Sequence, residues 1–354
     1  MRMEKPTVKS GECFLIKDRL LRRYLSGADI AEGFLLYGKT RVYFTDMRYY
    51  IAAKKKLAGS GIIAARLNDF NDIVAAVKEM QVNTVYIDYK TTTVSEYKEY
   101  EKFFGKLPDC SEILSACRAI KNEYELKKVK SACAIAERAV KDAFRALRLG
   151  ITEKELKSFL ESRMAALGAE ETAFDTIVAF GENSAVPHHE TGDMRLTANS
   201  VVLIDTGCKI NGYCSDITRT AFFGKPDKEF IKVYNAVLSA NEKAEKEICV
   251  GISGKDADKI ARDVLTERGY GEYFTHSLGH GVGLEIHETP RLSPSAEGII
   301  KENATFTVEP GVYLDGKFGV RIEDTCVLEN GKAVRLFTDD KKLKIIKDKK
   351  FNVN

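Results

Sequence analysis

The sequence has no CxxC pair, no apolar run of membrane-spanning length and no marked excess of either charge. Each absence excludes a class of protein. The eight cysteines (Cys13, Cys110, Cys117, Cys133, Cys208, Cys214, Cys249 and Cys326) are scattered without paired spacing. Such scatter fits reduced thiols and argues against a disulfide framework or a thiolate zinc site. A net charge of +3 on 354 residues gives no bulk electrostatic basis for binding nucleic acid or an anionic membrane surface. The opening stretch MRMEKPTVKSGECFLIKD lacks the apolar core of a signal peptide. A cytoplasmic protein is the expectation. Histidine is scarce as well: all five, His188, His189, His276, His280 and His287, fall in one part of the chain.

With 354 residues and 44% hydrophobic content, the chain is long enough for about two domains with a sizeable core. Residues 1–117 mix two kinds of pattern. EGFLLYG, RVYFTD, GIIAARL and NTVYIDY read as strands, NDIVAAVKEM and TVSEYKEYEKFF as helices, which makes a small α/β domain. Residues 118–354 open on a long periodic helix from Glu123 to about Leu149 and carry a weak internal repeat. LGITEK at Leu149 matches VGISGK at Val250, and the pairs Gly150/Gly251 and Gly168/Gly269 are each 101 residues apart. In both halves a helix stops at a glycine and a hydroxyl residue caps the next. Thr152 with Glu155 fits a capping box, and Ser253 with Asp256 is a looser version. A duplicated helix–helix–strands unit is therefore expected. The basic tail KKLKIIKDKK, residues 341–350, has no interleaved aromatics and reads as a solvated terminal segment.

The segment VVLIDTGCKINGYCSDITRT, residues 201–220, drives two acids into apolar surroundings. Asn211-Gly212 is a two-residue hairpin signal. With those residues at the turn, Asp205 faces Thr218 and Asp216 faces Gly207, so the two carboxylates are diagonal neighbours on one face. Buried like charges repel unless one is protonated or a cation lies between them. THSLGHGVGLEIHE sets His276, His280 and His287 at spacings of four and seven, beside glycines that let backbone approach a bound group. FTVEPGVY and GVRIEDT each put an acid, Glu309 and Glu323, in a strand-like run, where burial demands a partner. Four carboxylates and one histidine form an oxygen-rich set for manganese, cobalt, iron or zinc. Four acids exceed the need of one ion and suit two ions sharing bridging carboxylates and a water. Two other patterns are decoys. GFLLYGKT, residues 33–40, formally fits a phosphate loop but reads as a strand feeding another strand. Cys208 and Cys214 read as packing residues.

These motifs resemble the pita-bread metallopeptidases, the family of methionine aminopeptidase, prolidase and aminopeptidase P. The resemblance runs from about Arg118 to about Thr338, and the small N-terminal domain is similar to that of the proline-specific members. It implies an α+β fold. A C-terminal pita-bread (creatinase/aminopeptidase) domain with a pseudo-twofold helix–helix–strands repeat would follow a smaller N-terminal α/β creatinase-like domain. It implies metal ligands at Asp205, Asp216, His280, Glu309 and Glu323, in the contexts DTG, SDITRT, GHGVGLEIHE, VEPGVY and RIEDT. Glu309 would also shuttle a proton, while His188 and His287 would orient the peptide and stabilise the tetrahedral oxyanion. Arg321 would fix Glu323 or help close the pocket. His276 would line the pocket for the residue after the cleaved bond, and Arg291 in HETPRLS could bind a dipeptide's free carboxylate.

The implied activity is hydrolysis of an Xaa-Pro bond by a metal-bridging hydroxide, with two divalent ions, manganese first and cobalt, zinc or iron as alternatives. The substrate is a small peptide with proline in second position. An Xaa-Pro dipeptidase and an Xaa-Pro aminopeptidase stand level on this reading, and the resemblance also implies a homodimer. A metal-free creatinase-like hydrolase and a non-catalytic binding homologue share the fold, but each should lack the full ligand set that this sequence carries.

Overall fold

The structure, a computed structural model, describes residues 5–347, which fall into two compact units that part between Cys117 and Arg118. In the first unit a five-stranded sheet runs in the order Ile63–Arg66, Arg41–Thr45, Phe34–Gly38, Glu12–Ile16, Thr84–Tyr86. Strand alternation divides its side chains between two cores. Phe14, Ile16, Leu35 and Tyr37 enter one, while Cys13, Leu15, Leu36 and Val42 enter the other. A sheet buried on both faces reads as continuous apolar runs, which is why FLLY and VYF are legible as strands. The Glu12–Ile16 strand and the helices Arg19–Ser26 and Met47–Lys56 lie in stretches where the sequence reading assigned no element. Both helices start from an aspartate cap, with Asp18 accepting from Leu21 N–H and Asp46 from Arg48 N–H. The phosphate-loop decoy is resolved as read: Phe34–Gly38 is a strand, and Lys39 and Thr40 form an exposed turn into the antiparallel Arg41–Thr45.

The second unit is the α+β domain with the helix–helix–strands duplication. Helices Glu123–Ala146 and Glu153–Ala166 are repeated, 101 residues on, as Lys228–Glu247 and Gly254–Glu267. Gly150 and Gly251 share a left-handed backbone, at φ 78° and 86°, a conformation that glycine reaches without steric penalty. Their hydrogen bonds repeat as well: Gly150 N–H donates to Leu196 O and Gly251 N–H to Ile300 O, both at 2.9 Å. The capping box at Thr152 is complete, whereas Ser253 Oγ accepts from Asp256 N–H and donates to the Asp256 carboxylate without the reciprocal bond to its own N–H. Both long helices bury small residues, Ala132, Ala136, Ala139 and Ala143 on one and Ala236, Ala240 and Ala244 on the other, and so can approach the sheet closely.

The main sheet follows the path Glu288–Leu292, Gly279–Gly281, Thr305–Val308, Glu323–Glu329, Ile217–Phe223, Ser200–Thr206, Ile177–Phe180. The hairpin register is the one the Asn-Gly turn requires. Asp205 pairs with Thr218 and Lys209 with Cys214, and Asn211 and Gly212 take φ of 48° and 75°, both left-handed as in a type I′ turn.

The tail departs from its solvated reading within the described residues, whereas positions 348–350 lie outside them. Lys344–Ile346 pairs in parallel with Ala221–Phe223. Lys341 is buried, with Nζ 2.6 Å from Glu245 Oε2 and 3.2 Å from Asp324 Oδ2. Charge composition alone did not reveal that Asp324 and the half-buried Glu245 await Lys341. Among the described residues no helix is long and apolar enough to cross a membrane.

Candidate metal centre

Five neighbouring strands each bring one residue of the expected ligand set to the same region. Asp205 lies on Ser200–Thr206, Asp216 just before Ile217–Phe223, Glu323 at the start of Glu323–Glu329, Glu309 just after Thr305–Val308 and His280 within Gly279–Gly281. Asp205 pairs across to Thr218, and Thr218 across to Glu323, so these three form a row over three strands. Ligand atoms of Asp216, His280 and Glu323 all lie within 4.8 Å of one another. His280 Nε2 is 3.4 Å from Glu309 Oε1 and 3.6 Å from Asp216 Oδ2.

The electrostatics of this cluster call for cations. Burial, then Glu323, Asp205 and Glu309, push the Asp216 carboxyl well above the usual range. Burial, followed by Glu309 and Asp205, does the same to Glu323. Glu309 is pushed up to about 8, mainly by burial. Burial, then the nearby His287, lowers His280 to about 4, so its ring is neutral near pH 7. Its Nδ1 lies 3.1 Å from Gly281 O, and a carbonyl only accepts, so Nδ1 carries the proton. The Nε2 lone pair therefore points at oxygens of Glu309 and Asp216, a contact that needs either a retained carboxyl proton or a cation between the two acceptors. Asp205 Oδ1 is likewise buried with no hydrogen-bond partner. An acceptor lone pair, an orphaned carboxylate oxygen and mutually repelling acids fit divalent cations, and the oxygen-rich set with one imidazole suits a first-row metal.

Other expected site residues surround this cluster. Arg321 is buried and donates to Asp205 Oδ2 at 2.7 Å, to Thr218 Oγ1 at 3.1 Å, to Tyr313 Oη at 2.7 Å and to Pro187 O at 3.3 Å. Its direct carboxylate partner is thus Asp205. It reaches Glu323 only through Thr218, whose hydroxyl donates to Glu323 Oε2 at 2.6 Å. The chain is interrupted at Ile322 between the strands Phe318–Arg321 and Glu323–Glu329, so Arg321 and Glu323 do not stand in one regular strand. His287 stacks edge-on against His280, with ring centroids 4.3 Å apart. His188 is exposed and lies near His276 and His287. Arg291 is exposed and directly opposite His280 in the strand register.

His276 does not offer a free ring nitrogen. Its Nε2 meets Tyr313 Oη at 2.8 Å and its Nδ1 meets Ser277 O at 2.8 Å. Arg321 can only donate to Tyr313, so the tyrosine O–H donates to His276 Nε2, and Nδ1–H donates to Ser277 O. Burial, then Arg321, lowers the His276 ring to about 4. Tyr313 is therefore a site residue that the sequence reading missed, along with Thr218 and with Thr307, whose hydroxyl donates to Glu309 Oε1 at 3.1 Å. The available signal was position: Tyr313 lies four residues after Glu309, and Thr218 faces Asp205 across the hairpin.

Comparison with known proteins finds relatives over most of the chain. Residues 127–330 match the model of metallopeptidase family M24, and residues 8–120 match the creatinase/prolidase N-terminal domain. An Xaa-Pro dipeptidase of Pyrococcus furiosus is 36% identical over 325 residues, 90% of this chain and 91% of that one. A crystal structure of X-Pro aminopeptidase from Thermotoga maritima superposes with a TM-score of 0.89 at 37% identity, covering 95% of this chain and 97% of that one. An Xaa-Pro dipeptidase from Bacillus anthracis gives a TM-score of 0.91 at 34% identity, covering 94% and 95%. The chain belongs to metallopeptidase family M24, in its proline-specific branch with a creatinase-like N-terminal domain. Its class is that of a metallo-exopeptidase, a hydrolase that depends on divalent metal.

Proposed function

We propose that the protein hydrolyses the Xaa-Pro bond of short peptides with two divalent cations held by Asp205, Asp216, His280, Glu309 and Glu323. The observation that carries this reading is the convergence of the five donors from five adjacent strands, with Asp205 Oδ1 left without a partner. When bound, such a pair of cations supplies an acidified water and polarises the scissile carbonyl. Manganese is the first candidate, with cobalt, zinc and iron behind it.

The chain's own residues do the rest. Glu309 Oε1 already accepts from Thr307 Oγ1, so the proton taken from the nucleophile is carried at Oε2 and delivered to the proline nitrogen. That nitrogen belongs to a tertiary amide, which lacks an N–H, so the leaving group needs this proton. His287 and His188 orient the carbonyl and stabilise the oxyanion. Arg321 holds Asp205, and Tyr313 with His276 holds Arg321. His276 shapes the proline pocket with its ring, because both its nitrogens are engaged.

We read Arg291 as the partner of a dipeptide's free carboxylate, a reading that its exposure and its register with His280 support. We further assign the enzyme to the cytoplasm and to a homodimer. Cleavage of an Xaa-Pro dipeptide and an Xaa-Pro-Yaa tripeptide, with added Mn²⁺ or Co²⁺, tests the substrate reading. Strong preference for the dipeptide, lost in Arg291→Ala, is expected; efficient tripeptide cleavage makes the enzyme an aminopeptidase. Failure on both with metal bound overturns the proline assignment.

A further inference from the structure

The helix Glu153–Ala166 begins with a fully buried carboxylate that no part of the chemistry above uses. Four donors converge on Glu153. Phe180 N–H (2.8 Å) and Asn183 Nδ2 (2.9 Å) reach Oε1, while His189 Nε2 (3.0 Å) and Gly192 N–H (2.9 Å) reach Oε2. The four donors bracket one segment, residues 180–192, and tie both of its ends to a single side chain. That segment carries His188. It also carries Pro187, whose carbonyl accepts from Arg321, and Ser184, whose hydroxyl accepts from Gly319 N–H at 2.9 Å.

The internal duplication supplies a control. Gly254 stands 101 residues after Glu153, at the first position of its own helix. Backbone contacts at the two positions match: Glu153 N–H donates to Met194 O at 3.0 Å and Gly254 N–H to Gly298 O at 2.9 Å. The next residues match too, with Lys154 N–H donating to Gly192 O and Lys255 N–H to Ala296 O. The fold therefore needs no side chain at this position. In the second half there is no room for one, since a Cβ on Gly254 would lie 2.0 Å from the Arg291 carbonyl oxygen. A buried carboxylate that the duplicate omits is explained by what it holds.

We infer that Glu153 is a positioning residue: through its four hydrogen bonds it fixes residues 180–192 and so sets His188 over the metal centre. This inference rests on the proposed peptidase reading. His189, adjacent to the catalytic candidate, then has a definite task. Its Nε2 carries the proton that it donates to Glu153, and this orients the backbone from which His188 projects. None of the five expected metal ligands lies on the segment, which reaches the ligand set only through Pro187 O on Arg321, so the number of ions bound should not change.

The test uses the full-length, metal-loaded protein. In Glu153→Gln an amide N–H₂ replaces one acceptor oxygen and meets donors. In Asn183→Ala one donor is lost and the carboxylate keeps three, which guards against a variant that fails to fold. Both should lower kcat on the Xaa-Pro dipeptide, the first by about 10- to 100-fold, the scale of a misplaced catalytic group, with KM moving less and metal stoichiometry unchanged. In a His188→Ala background Glu153→Gln should cost almost nothing more, because its effect passes through His188. Losses that multiply in the double variant, or a lowered Tm with unchanged kcat, would overturn the inference.

If the wild-type enzyme cleaves neither Xaa-Pro substrate, the peptidase reading fails, and imidazole ¹⁵N NMR of the zinc-loaded protein still decides. Five histidines give five ring systems, and Glu153→Gln must shift the His188 signals together with those of His189. Unchanged His188 signals refute the positioning role.

Discussion

Arg321 Nη2 lies 2.7 Å from Asp205 Oδ2, and the other oxygen of that carboxylate is buried without a partner. One side of Asp205 is thus committed to a protein cation and the other is open toward the acid cluster. The guanidinium also donates to Thr218, which donates onward to Glu323, so a single arginine orders two of the five expected ligands from behind. Groups that orient metal ligands in this way are worth about 10- to 100-fold in metal affinity when removed.

Arg321→Lys is expected to weaken Mn²⁺ binding by about that factor. The lysine keeps the charge but cannot fork to Asp205, Thr218 and Tyr313 together. Calorimetric titration of the metal-free variant measures it, and wild-type affinity would show that Arg321 does not orient Asp205.

Tyr313→Phe removes the hydroxyl between Arg321 and His276 and leaves buried polar atoms unpaired on both sides. A buried group left unsatisfied costs about 1–3 kcal/mol. Thermal unfolding should report a lower Tm, and kcat/KM on an Xaa-Pro dipeptide should fall by roughly tenfold, the equivalent of about 1.4 kcal/mol. Equal activity and stability would exclude Tyr313 from the site.

Asp339→Asn tests the buried tail. Arg219, fully enclosed, donates to both oxygens of Asp339 and to Asp324, and also to the main-chain oxygen of Glu323. Breaking one partner of a buried pair costs about 3–5 kcal/mol, so the urea midpoint should drop sharply. A change under about 0.5 kcal/mol, the size of a surface effect, would mean that residues 339–346 are not anchored through this acid.

In the metal-free protein, stability should fall as pH rises from 6.5 to 8. The sign follows from proton counting. Glu309 is raised from 4.5 to about 8, and Asp216 and Glu323 are raised as well. In that window the folded state binds more protons than the unfolded chain, so raising the pH favours unfolding. The lowered His276 and His280 act oppositely, but only between about 4 and their ordinary 6.5. Above 6.5 the carboxyls dominate, and Glu245, also raised to about 8, adds to them. Divalent metal should stabilise the protein more at pH 8 than at pH 6.5, because it binds the deprotonated acids. A metal-free Tm that is flat or rising over this range would contradict the repulsive cluster.

The readable parts of the protein were those fixed by local rules. Asn211-Gly212 set the register that pairs Asp205 with Thr218, and glycines 101 residues apart marked the two helix pairs. Acids in apolar strands declared their need for a partner. What stayed hidden depends on contacts between distant segments. Glu153 sits beside a capping threonine and reads as an ordinary first-turn acid until Phe180, Asn183, His189 and Gly192 are folded onto it. Lys341 reads as a solvated tail residue until Asp324 and Glu245 meet it in the core. Tyr313 has no polar neighbour in sequence that announces Arg321, eight residues on, as its donor.

Titration of metal-free protein with Mn²⁺ by calorimetry, on wild type and on Asp205→Asn and Glu323→Gln, addresses the metal centre most directly. Two ions per chain in the wild type, with at least one lost or strongly weakened in each variant, is the expected result. No binding in the wild type, or equal binding in all three proteins, would contradict a dinuclear centre built on these strands.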